Sequence, residues 1–188
     1  MGWMSELPPS RLTPLQAEVR DEVLQGPRGK VPGPMIAWLR RPEMARHAQA
    51  LGAELRFRGV LEPQMRELAI LICARHWTSH YEWTAHRRIA VEAGLDSEII
   101  SAVAREEAPP DDRSDLALIW RLSREILDHG KLDEGSRNEA LMRLGEEALV
   151  ELVMVVGYYC LVALTLNVFE LGLPEALAPE LLGRDRQP

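Results

Sequence analysis

Residues 152–169 read LVMVVGYYCLVALTLNVF, 18 residues in a row without a charged side chain. A run of that length is at the lower edge of what spans a bilayer, and it equally describes a helix that is apolar on every side and buried in protein. The flanks favour burial. Glu151 and Glu170 bound the run, no Lys or Arg stands close by, and Tyr158, Tyr159, Thr165 and Asn167 lie within it. The expectation is therefore a helix covered by the fold or by a subunit interface, with no membrane partner.

The rest of the chain follows the same logic. Helical periodicity runs nearly throughout, and no series of alternating β-branched residues with hairpin turns occurs, so the fold class is all-α. Residues 1–13 are expected to be a flexible N-terminus. Helices are expected over residues 14–25, 35–40 and 43–57, the first two separated by the Gly- and Pro-rich stretch GPRGKVPGP. A helix over residues 63–76 carries LAILICA at its centre, apolar all round and hence deeply buried. The next, over residues 79–93, stops at Gly94, and Asp96 caps its successor. Further helices are expected over residues 114–129, 134–144 and 146–171, the last ended by Gly172 and Pro174. Residues 14–183 read as a single helical domain, with 184–188 as a tail.

Composition excludes several function classes. The 188 residues include 46% hydrophobic side chains, enough for a real core, and the net charge is −7. No basic block is present, so nucleic acid is a poor partner. The two cysteines, Cys73 and Cys160, both lie in apolar runs and form no CxxC pair. That argues against a disulfide framework or a zinc site and fits a reducing cytoplasm. No secretory signal is visible at the N-terminus.

Chemistry concentrates in WTSHYEWTAH, residues 77–86. One reading is purely architectural: Ser79 and Glu82 match the S-x-x-E capping box and do no more than start a helix. The other notes that Ser79, Glu82 and His86 stand at i, i+3 and i+7, on a stripe continued by Ile89, Ala90 and Ala93. A carboxylate and an imidazole on a core-facing stripe are costly unless paired or lining a site. Glu67, one helix earlier, can fold back toward His86, and two neighbouring carboxyls would raise the pKa of at least one. His76, His80, Glu82 and His86 are the available metal donors, but HExxH spacing is absent and proton transfer is preferred to a metal site.

The pattern REL-AILI-x-A followed by S-x-Y-E-W-x-x-H-x-x-x-A-x-x-A-G-L, from Arg66 to Leu95, resembles the carboxymuconolactone decarboxylase family, related to the alkylhydroperoxidase D-like proteins. The stretch GYYCLVALTLNVFELGLP, residues 157–174, resembles that family's last core helix. The resemblance implies an all-helical alkylhydroperoxidase D-like fold, assembled as a homotrimer or homohexamer. In the redox branch a Glu precedes a CxxC pair and a His. Carried over by spacing these are Glu67, then Ser79 and Glu82 in place of both cysteines, then His86, so a peroxidase or peroxiredoxin-like activity lacks its thiols. The decarboxylase branch implies a lyase of aromatic catabolism, free of cofactor, acting on a small carboxylated lactone or oxo-acid that carries its own electron sink. On that reading His86 delivers a proton or binds the enolate, Glu67 orients it, and Glu82, Ser79 or Tyr81 assists. A non-catalytic oligomer that binds a small ligand is the remaining alternative.

Overall fold

The structure, a computed structural model, describes residues 4–110, 114–173 and 178–181. It is 70% helical, with nine α-helices and no strand among the described residues. By its internal contacts the chain falls into two compact units, Met1–Gly59 with Thr165–Gly172, and Val60–Leu164 with Leu173–Pro188.

The first unit holds helices α1 (Pro14–Gln25), α2 (Met35–Trp38) and α3 (Pro42–Phe57). Thr13 opens α1 with a complete capping box to Gln16, and Pro14 supplies the pre-set first turn. Val19 and Val23 of α1 pack with Met35, Leu39 and Ala45. The Trp38 indole N–H donates to Thr165 Oγ1 at 3.0 Å. Pro9–Arg11 forms a 3-10 turn ahead of α1. Helix α2 ends at Trp38 rather than residue 40, because the chain tightens there into turns, Arg40 N–H to the Ala37 carbonyl and Arg41 N–H to the Trp38 carbonyl, and Arg41, which precedes a proline, leaves the helical region at φ −131° and ψ 72°.

The second unit is built around α4 (Pro63–His76), against which α5 (His80–Glu92), α6 (Ser97–Ala104) and α7 (Asp115–His129) pack. Helices α8 (Glu134–Arg143) and α9 (Gly145–Val168) follow, α9 belonging to this unit as far as Leu164. Residues 68–74 of α4 are each exposed by 1% or less, as an all-round apolar helix requires. Full burial of such side chains stabilises by about 1.5–3 kcal/mol each, which makes α4 the organising element. The Glu151 carboxylate, at the edge of the uncharged run, accepts from the backbone N–H groups of Val60 and Leu61 just before α4. This explains how a carboxylate remains 7% exposed on a core helix.

Helix ends hold the clearest departures. Helix α5 closes as expected, with Gly94 left-handed at φ 85° and Leu95 N–H bonded to the Ala90 carbonyl. The same closure ends α4, α6 and α9 with no glycine: Thr78 (φ 50°), Glu106 (φ 62°) and Glu170 (φ 51°) take the left-handed position. Hence α9 stops at Val168, before the Gly172 expected to end it, and Pro174 lies outside the described residues. By length and composition α9 could cross a membrane, but 56% of its most apolar window is buried inside the protein.

Candidate functional site

The turn from α4 into α5 sets the site. Trp77 and Thr78 reverse the chain, and the Ser79 N–H donates to the Ala74 carbonyl at 2.8 Å. That amide is the one a capping-box glutamate would need, so the box cannot close. Ser79 occupies the N-cap of α5 without a side-chain cap bond. The architectural reading of Ser79 and Glu82 is thereby overturned: neither side chain starts the helix.

Both instead turn inward. Glu67, Ser79, Glu82 and His86 are exposed by 1%, 0%, 1% and 7%. Glu67 Oε2 lies 2.7 Å from His86 Nδ1, joining α4 to α5. Glu67 Oε1 faces Arg66 Nε at 3.7 Å. The edge of the Tyr159 ring, from α9, meets the His86 ring at 4.9 Å between centroids, and Tyr158 stacks edge-on against Tyr159. The tyrosines therefore pack, and one of them packs on the histidine.

Ser79 Oγ and both carboxyl oxygens of Glu82 have no hydrogen-bond partner among the described residues. Leaving such groups buried and unmet costs about 1–3 kcal/mol each. Burial pushes the Glu82 carboxyl well above the usual glutamate range, and the charge of the neighbouring Cys160 thiolate pushes the same way. Glu82 thus keeps its proton above the pH at which an ordinary glutamate loses it, and in that form its carboxyl can donate. Tyr81, one residue earlier and half-buried, lies on a different face of α5 from Glu82 and His86.

The candidate metal donors are not gathered: among the described residues no group of three or more His, Cys, Asp or Glu could hold an ion. His76 faces Asp128 at 3.9 Å instead. The two cysteines, which form no CxxC pair, face each other in the fold across α4 and α9: Cys73 Sγ donates to the Val156 carbonyl and the Trp77 indole N–H donates to Cys160 Sγ. No spacing rule could reveal that pair, because its members are separated by most of the second unit.

No curated protein and no solved structure matches the chain. Residues 42–120 match the model of the carboxymuconolactone decarboxylase family. The match takes in α4 and α5 with Glu67, Ser79, Glu82 and His86, stops short of α9, and is consistent with the alkylhydroperoxidase D-like superfamily. The stretch that supplies the buried acid and imidazole pair, residues 42–120, is thus similar to the carboxymuconolactone decarboxylase family.

Proposed function

We propose that the protein is a cofactor-free decarboxylase-like lyase acting on a small carboxylated lactone or oxo-acid. The observation that carries this reading is the buried 2.7 Å pair of Glu67 and His86 beside the unpartnered Glu82 carboxyl. Decarboxylation of such a substrate leaves an enolate. The protein then needs a positioned acid and a dry surrounding more than it needs a redox group. Glu67 accepts from Nδ1–H and fixes the imidazole orientation, which places the ring's acid-base chemistry at Nε2. Glu82, whose carboxyl burial favours in the protonated form, can hydrogen-bond a developing enolate oxygen, and Ser79 offers a hydroxyl to the same end. Glu67 and Arg66 are positioning groups, and Tyr159 holds the imidazole from the other side.

The working form on this reading is a cytoplasmic homotrimer or homohexamer that binds a small carboxylic acid or lactone and neither nucleic acid nor membrane. The test is CO2 release from a panel of carboxylated lactones and β-oxo-acids. A positioned proton donor contributes about 10²–10⁴-fold, so His86→Ala should lower turnover at least about a hundredfold while the helical circular dichroism persists. A folded His86→Ala protein with full turnover removes the imidazole from the reaction.

A further inference from the structure

Cys73 and Cys160 are not used by the lyase reading, and Cys160 lies beyond the family segment, which ends at residue 120. Their placement is specific. Cys73 lies one turn before Trp77, the residue that caps α4, and Val156 and Cys160 are one turn apart on α9. Cys73 Sγ donates to the Val156 carbonyl at 3.8 Å, and the Trp77 indole N–H donates to Cys160 Sγ at 3.2 Å. These two rungs bring Cys73 and Cys160 together across neighbouring helices, and both are free thiols. Cys73 is fully buried, whereas Cys160 is partly exposed beside a Trp77 that is 37% exposed.

We infer that Cys73 and Cys160 form a second, redox-active site, a dithiol that closes to a disulfide between α4 and α9 by exchange with small-molecule disulfides. The pair is asymmetric in the way this chemistry requires. The neighbouring Cys73 thiol and the Trp77 indole hold Cys160 down at about 7 against the effect of burial. Cys73 is pushed up by the neighbouring Cys160 and by burial. Cys160 is therefore the attacking thiolate and Cys73 the resolving thiol.

The Cys160 thiolate attacks one sulfur of the small disulfide RSSR. The S–S bond breaks, one RS⁻ leaves, and Cys160–S–SR remains. Cys73 then attacks the Cys160 sulfur, expels the second RS⁻ and releases its own proton to it. The two thiols lose two electrons and the small disulfide gains them. Oxidation also removes the thiolate charge beside Glu82, linking the redox state of this pair to the acid in the candidate site.

The probe is hydroxyethyl disulfide applied to the full chain, quenched with iodoacetamide and read by intact mass and peptide mapping. The expected product is a protein two hydrogens lighter, with neither cysteine alkylatable, a Cys73–Cys160 linked peptide, and full reversal by dithiothreitol. Cys73→Ala should instead stop at a stable mixed disulfide on Cys160, and Cys160→Ser should not react. Alkylation of reduced wild-type protein should titrate with a midpoint near 7. At that pH Cys160 should react up to roughly tenfold faster than an ordinary thiol. The wild-type mass decides without the variants. Two alkylatable thiols after excess disulfide, a persistent mixed disulfide in the wild type, or a Cys160–Cys160 link between chains would each overturn the site.

Discussion

At the residue scale, two side chains hold free energy that a simple helix would not. The first is Glu82. Its folded carboxyl titrates above the usual glutamate value, so between the two values the unfolded chain has lost a proton that the folded chain keeps. Stability is then full below the unfolded value and falls as pH rises toward the folded one. Glu82→Gln removes that titration while keeping the shape. The variant should show a flatter melting temperature than the wild type as pH rises above the usual glutamate range, and become the more stable of the two there. Parallel curves for both proteins would mean that Glu82 ionises as readily folded as unfolded. The second is Thr78, a β-branched residue at φ 50° directly before Ser79. The left-handed position costs such a residue about 1–2 kcal/mol. Part of that is met by its hydroxyl accepting from Arg75 at 3.3 Å. Thr78→Gly should stabilise by about 1 kcal/mol in urea unfolding, and an unchanged or lower midpoint would show that the turn is unstrained.

At the element scale, what could be read from the sequence depended on which residue closes a helix. Helices α1, α5 and α7 lie where proline, Gly94 and Gly130 put them, because those boundaries have their own chemical marks. The ends of α4, α6 and α9 have none, since Thr78, Glu106 and Glu170 take a conformation for which their residue type is no guide. The turn at Thr78 had a further effect on the site. Its closing bond consumes the Ser79 amide, and so a sequence that matches a capping box folds into an uncapped helix with two inward polar side chains. The stripe of Ser79, Glu82 and His86 and the partner Glu67 were legible from helical spacing and a short turn. Tyr159 and the thiol pair were not, because α9 is apolar on every side. Periodicity cannot say which side of such a helix meets α4.

At the scale of the whole molecule, that same all-round apolarity leaves a surface unaccounted for within the chain. Val150, Met154, Gly157, Leu161 and Leu164 repeat at alternating steps of four and three along α9, and all are exposed, Leu161 by 47% and Leu164 by 40%. Such spacing forms the seam of a helix that packs against another helix. No charged residue interrupts it, although the chain as a whole carries −7. Exposed apolar stripes of this kind mark interfaces, and a second copy offers a helix of matching length and pattern. The expected outcome is an oligomer in solution by light scattering. Replacing both Leu161 and Leu164 with Glu should convert it to monomer, because two like charges would face their counterparts across a desolvated seam. The substituted positions are solvent-facing in the single chain, so helical content should be retained. A wild-type protein that is monomeric at micromolar concentration, or a doubly substituted one that stays assembled, would assign the stripe to some other role.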